Sequence, residues 1–444
     1  MFLTQGLSLI SLLYFNFIFN MITVLLIVFV LGYLAIILEH TIKINKSASA
    51  LITAVLCWTL IISNASNKEQ IIEQLSHHLS SISEIVFFLL GAMTIVEIID
   101  AHDGFQNITE SIKTDNKTKL IWLISLITFF LSAVLDNLTS TIVMISILNK
   151  LVNDKKAKWL LLGLVIISAN AGGAWSPIGD VTTTMLWIGG QISALNIIKQ
   201  TFFATLISML VPTLIINHLI KGKIELKSKV EYNLNYTTNS FERNLIFYVG
   251  IGCLLFVPVF KTITHLPPYL GMLLSLGIIW TLTEMIHNKK HEDEKGNLSV
   301  NHALRKIDTP SILFFFGILM SISSLESVGI LPQMATKLNN SIGNINIVAI
   351  CIGLLSAVFD NVPLVAALQS MYSLNDYPQD HYFWELLAFT AGTGGSCLII
   401  GSAAGVAVMG MEKIDFFWYL KKISWIALIG FFAGISVFLI QHYI

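Results

Sequence analysis

The chain has 444 residues, 55% of them hydrophobic and only 12% charged, with a formal net charge of −1. A soluble globular domain carries roughly 25% charged residues, so this composition excludes an ordinary soluble domain and directs attention to the bilayer. Net charge near zero excludes nothing further, because a membrane protein sorts its charges by side.

Apolar runs able to cross a core of about 30 Å follow one another from the N-terminus. Residues 1–20 are uncharged and lack the basic region of a signal peptide, which predicts an extra N-terminal span. Spans are then expected at 21–38, 47–63 and 83–100, the last preceded by an amphipathic outer stretch with Lys68, Glu69, Glu73, His77 and His78 that reads as an interfacial helix. An apolar helix pair surrounds Asp136, a glycine-interrupted span covers 158–190, and another span covers 201–220. The series then restarts with spans at 244–260, 269–286 and 311–326, a pair around Asp360, a broken span at 384–410, and a last span at 423–442. The four cysteines (Cys57, Cys253, Cys351, Cys397) are scattered in apolar segments, which fits packing residues and neither zinc spacing nor a disulfide framework.

The restart is a duplication. Ser132-Ala133-Val134-Leu135-Asp136-Asn137 recurs as Ser356-Ala357-Val358-Phe359-Asp360-Asn361. Ala171-Gly172-Gly173 through Gly179 recurs 222 residues later as Thr393-Gly394-Gly395 through Gly401, and Trp58-Thr59-Leu60 recurs as Trp280-Thr281-Leu282 at the same offset. Landmarks repeated in one order mark two copies, 21–220 and 243–442.

Each Asp-Asn pair interrupts an apolar run where a single helix would leave the aspartate in lipid, at several kcal/mol. A re-entrant hairpin (119–150 and 343–374) instead buries it at a tip inside protein. If each hairpin returns to its own side, each copy has five true spans and the second copy is inverted. The 26 Lys and Arg residues then divide 22 to 4, with only Lys68, Lys199, Lys261 and Lys337 on the outer side. The expected fold is therefore an all-α polytopic membrane protein of two inverted-topology repeats, each of five spans plus one re-entrant hairpin with a broken helix, and one extra N-terminal span. Scaffold spans lie at 21–100 and 244–326, with the N-terminus cytoplasmic and the C-terminus external.

Hairpin tips and broken helices meeting at mid-membrane are the usual construction of a secondary-transporter site. One constellation is Ser132, Asp136, Asn137, Thr139 and Thr141 with Asn170, Gly172, Gly173, Ser176, Asp180, Thr182 and Thr183. The other is Ser356, Asp360 and Asn361 with Thr393, Gly394, Gly395, Ser396 and Ser402. A hard cation such as sodium takes carboxylate, amide, hydroxyl and carbonyl oxygens. Asp136, Asn137 and Asp180 are the expected Na+ ligands, and a carboxylate kept from water can hold a proton when the cation leaves. Asp180 also suits the N-cap of a half-helix, and Asp136 a capped hairpin tip. Secondary candidates are Glu84, Asp308 and Thr309, placed where a plain helix N-cap would serve, and Glu97 with Asp100 at the end of the 83–100 span.

Three segments resemble the NhaD-type sodium/proton antiporters of the ion-transporter superfamily: Phe88 to Glu97, Asp136 to Thr141, and Asn170 to Thr183. The resemblance covers nearly all the chain after residue 21. It implies sodium and lithium export against protons across the inner membrane. It also implies roles for Glu84, Asp136, Asn137, Asn170, Asp180, Thr182, Thr183, Asp308, Thr309, Ser356 and Asn361, and an elevator-type homodimer. The superfamily's dicarboxylate carriers have Ser-Asn-Thr at both tips, where this chain has Asp136-Asn137-Leu138 and Asp360-Asn361-Val362. The expectation is an exchanger and no enzyme, with sodium, lithium, protons and the bilayer as partners, no cofactor and no nucleic acid. A dicarboxylate carrier and a passive cation channel are the alternatives.

Overall fold

The computed structural model describes residues 21–106, 108, 112, 114, 116–220, 238–288, 296 and 298–443, so the expected span at 1–20 lies outside the described residues. Among the described residues there are no strands, and eight helices are long and apolar enough to cross a membrane. The chain is an all-α multi-span protein.

In order these are α1 (Met21–Ile37), α2 (Glu39–Ile42), α3 (Lys46–Asn64), α4 (Lys68–Ala101), α5 (Lys117–Leu135), α6 (Asn137–Leu151), α7 (Lys155–Gly173), α8 (Val181–Ile188) and α9 (Ala194–Leu219). There follow α10 (Ser240–Thr264), α11 (Pro268–His287), α12 (Val300–Lys306), α13 (Thr309–Ser327), α14 (Ile330–Ile342), α15 (Ile345–Leu355) and α16 (Asn361–Met371). The last are α17 (Tyr382–Gly394), α18 (Ala403–Glu412), α19 (Phe416–Tyr419) and α20 (Trp425–Tyr443), with a π-helical turn at Leu420–Ser424. Helices begin where a short polar side chain caps them: Asn45 on α3, Asn116 on α5, Asp154 on α7 and Asn239 on α10. Helix α14 stops at a turn in which Gly343 takes a φ of 67°.

One expectation needs correcting. The amphipathic stretch before residue 83 is no separate interfacial helix but the start of α4, which runs 34 residues. No proline or glycine divides the two parts, and the Ser81 and Ser83 hydroxyls donate to the carbonyls of His77 and Leu79, four residues back. A helix of that length reaches about 50 Å, more than the hydrocarbon core requires. Glu84 consequently lies within α4 and not at a helix N-terminus.

The chain forms two compact units. The first comprises the described parts of Met1–Val86 with Asp308–Leu338 and Ala366–Tyr372. In it α3 lies along α13, tied by Ser47 Oγ donating to the Pro310 carbonyl (2.6 Å) and Trp58 Nε1 to the Met320 carbonyl (2.9 Å).

The second unit comprises the described parts of Phe87–Ile307, Asn339–Val365 and Ser373–Ile444. Here α5 and α6 pack on each other and on α7, α15 packs on α17, and α9 lies along α20. Small residues permit these approaches, as is usual between membrane helices. A Cβ on Gly172 would overlap the Phe129 carbonyl oxygen, and one on Gly394 would overlap that of Gly353. Gly172 and Gly394 stand 222 residues apart, the offset of the recurring Gly-Gly segments.

Candidate ion-binding site

The site is built where two helices end and two begin. Asp136 ends α5 and caps α6: its Oδ1 accepts the Thr139 N–H (2.8 Å) and its Oδ2 the Thr139 hydroxyl (2.9 Å). It does so at φ 83° and ψ 164°, a conformation that costs a non-glycine residue about 1–3 kcal/mol. Strain held in place this way is typical of functional sites. Asp180 caps α8 across the break that follows α7, its Oδ1 accepting both the N–H and the hydroxyl of Thr182 at 3.0 Å.

The other oxygen of Asp180 faces the tips. Its Oδ2 accepts Asn137 Nδ2 at 3.0 Å and Asn361 Nδ2 at 3.5 Å, one amide from each Asp-Asn pair. Asp180 thus caps α8 with one oxygen and meets the two amides with the other. Asn170 joins the constellations: its Oδ1 accepts from Asn137 (3.0 Å), and its Nδ2 donates to Ser396 Oγ and Ser402 Oγ, each at 2.9 Å. Asn137, Asn170, Asp180, Asn361, Ser396 and Ser402 are all buried, while Asp136 and Asp360 are half-buried. Asp180 interacts electrostatically with both of these aspartates.

The remaining expected residues divide by what their side chains touch. Ser132 Oγ donates to the Ala169 carbonyl (2.6 Å) and Ser356 Oγ to the Ala391 carbonyl (3.0 Å), equivalent ties in the two copies. The Thr183 hydroxyl donates to the Asp180 carbonyl (2.8 Å), and that of Thr393 to the carbonyl of Phe389 within its own helix (2.6 Å). Gly173 and Gly395 line the breaks, where a Cβ would press on the carbonyls of Gly179 and Gly401. Glu84 and Thr309 belong to the first unit, as does Asp308, which caps α13 through the N–H and hydroxyl of Ser311. Glu97 pairs with Lys306 at 3.1 Å, and Asp100 is exposed.

Two buried polar residues escape motif reading. The buried Tyr419 hydroxyl donates to the Ser396 carbonyl (2.8 Å) just before the π-helical turn, and Glu385 is buried near the start of α17. Neither belongs to the repeat: the residue 222 positions before Glu385 is Gly163. A buried acid in a membrane protein was the available signal.

Asp180 repels each of Asp136 and Asp360 while both members of the pair are ionised, and such repulsion is stronger away from water. The arrangement therefore favours a proton or a cation among them. Its donor set, carboxylate and amide oxygens with hydroxyls, is that of a hard monovalent cation. Among the described residues no three His, Cys, Asp or Glu side chains are grouped to hold a metal ion by themselves, so amide and hydroxyl oxygens are needed to complete any cation's ligands here.

A family model described as "Citrate transporter" matches residues 33–394, most of the chain. The chain belongs to the citrate transporter family. It is thus a multi-pass membrane transporter, not an enzyme. This citrate transporter family member is 51% identical to "Sodium/proton antiporter 1" of Arabidopsis thaliana, over 93% of this chain and 71% of that protein. It is 49% identical to "Sodium/proton antiporter 2" of the same plant, over 93% and 98%. It is also 28% identical to "Na(+)/H(+) antiporter NhaD" of Alkalimonas amylolytica, over 93% and 89%, in line with the expected NhaD resemblance.

Proposed function

We propose that the protein exchanges Na+, and Li+, for H+ across the inner membrane, with cation and proton competing for the carboxylates of Asp136 and Asp180. The observation carrying this reading is the Asp180 carboxylate, which receives an amide from each Asp-Asn pair while also capping α8. Asp136, Asn137 and Asp180 are the first ligands of the cation. Asn361 and Asp360 complete the path from the second copy, with Ser396 joined through Asn170. When the cation leaves, one proton restores the charge balance and the acids titrate as a coupled set. Competition for one site is sufficient for exchange, driven by the two gradients.

In this reading α5–α6 and α15–α16 are re-entrant hairpins entering from opposite sides, and the two copies are inverted. The N-terminus is cytoplasmic and the C-terminus external. The protein works as a homodimer that carries the site across the membrane by an elevator-type movement.

The family description favours one alternative, a sodium-coupled carrier of citrate-like or dicarboxylate anions. Asp136 and Asp360 weigh against it, because a di-anion would meet like charges at both tips at low dielectric. Everted vesicles decide. Na+ or Li+ added to vesicles holding a proton gradient should release it in the wild type and not in Asp136→Ala at equal protein levels. Labelled succinate or citrate uptake that is indifferent to Asp136 would overturn the exchange reading.

A further inference from the structure

Glu385 stands apart from the constellation above. It is 1% exposed, in the first turn of α17. Its Oε1 accepts Asn196 Nδ2 at 2.6 Å, while Oε2 is buried with no hydrogen-bond partner among the described residues. Along α17 it is eight residues from Thr393, about 12 Å. Phe389, fully buried and stacked near Phe431 and Phe438, occupies that face between the two.

The charged and titratable groups around it do not neutralise it. Asp380, just before α17, acts on it electrostatically and is itself held by the Ser193 N–H at 2.6 Å. His381 caps α17 through its ring, His442 of α20 stacks on Tyr382, and Lys199 of α9 is exposed. Helix α8 carries no charged or titratable side chain, only threonine hydroxyls, the Trp187 indole and apolar groups. A carboxyl kept from water, with only the Asn196 amide and its own backbone N–H acting on it and Oε2 short of a hydrogen bond, exchanges its charge for a proton at lower cost than it keeps a permanent charge. The helix N-terminus moderates the cost of the anion, so both forms are accessible.

We propose that Glu385 is a second proton-binding site, separate from the Asp136–Asp180 cluster and reached from the Asp380–His381 end of α17. A proton from water bonds to Oε2 to give the acid, and the reverse step returns it; no other bond changes. Asn196 serves both states, because its N–H can donate to a carboxylate oxygen and, more weakly, to the carbonyl oxygen of the acid. The effect on transport rests on the exchange reading, but proton binding itself does not.

The test compares purified wild type with Glu385→Gln, an isosteric change that keeps an acceptor for Asn196. Infrared difference spectra across a pH titration should show a carboxylic-acid C=O band that is lost in Glu385→Gln and retained in Asp136→Asn. In proteoliposomes Glu385→Gln should keep Na+-driven proton movement but shift the midpoint of its pH profile by about one unit. An unchanged acid band in Glu385→Gln overturns the proposal. So does a rate that falls equally at every pH with its midpoint unmoved, which marks a structural role. A wild type that exchanges nothing would sink the exchange reading alone, since the infrared band still decides Glu385.

Discussion

The Asn137 amide lies 3.0 Å from Oδ2 of Asp180, tying the tip between α5 and α6 to the cap of α8. The same amide also meets Asn170, which in turn donates to Ser396 and Ser402.

Replacing Asp180 by Asn separates its two roles. Asparagine caps a helix about as well as aspartate, so stability should change by no more than about 1 kcal/mol. The charge is lost, so Na+- and Li+-dependent proton release in everted vesicles should fall to background. Preserved exchange in a well-folded Asp180→Asn would reduce the residue to a cap.

Asn170→Ala removes three hydrogen bonds at once and leaves buried Asn137, Ser396 and Ser402 short of a partner. Each buried polar group left unsatisfied costs about 1–3 kcal/mol. A clear drop in melting temperature in detergent is expected together with loss of exchange. An unaltered melting temperature would show that water replaces the amide.

The backbone at Asp136 makes an ordering prediction. At φ 83° alanine carries the steric penalty without the cap, whereas glycine carries no penalty. Asp136→Gly should therefore be more stable than Asp136→Ala by about 1 kcal/mol, with both inactive. The reverse order in thermal denaturation would place strain elsewhere.

Gly394→Ala should abolish accumulation of folded protein, because its methyl group overlaps the Gly353 carbonyl between α15 and α17. Gly252→Ala, in α10, meets nothing within 4 Å and should be neutral. Immunoblots of membranes and size-exclusion profiles distinguish the two.

The proposed topology is open to labelling. A cysteine in place of Lys156 should react with an impermeant maleimide only from the cytoplasmic side, and one in place of Lys199 only from outside. Labelling of both from one side would overturn the inverted arrangement.

Composition and the spacing of apolar runs by themselves determined an all-helical membrane protein, since every backbone group in lipid must be bonded within its own segment. The repeated Asp-Asn and Gly-Gly segments marked where helices break, because acids and bare glycines are costly in a continuous span. The end of the outer amphipathic stretch was not legible: amphipathicity alone does not stop a helix, and α4 runs on through Glu84. Pairing was decided only by tertiary structure. Which oxygen of Asp180 caps and which meets the amides depends on helices brought together from positions 137, 170, 180 and 361. Glu385 entered view the same way, for its burial against Asn196 joins residues 189 positions apart that no motif links.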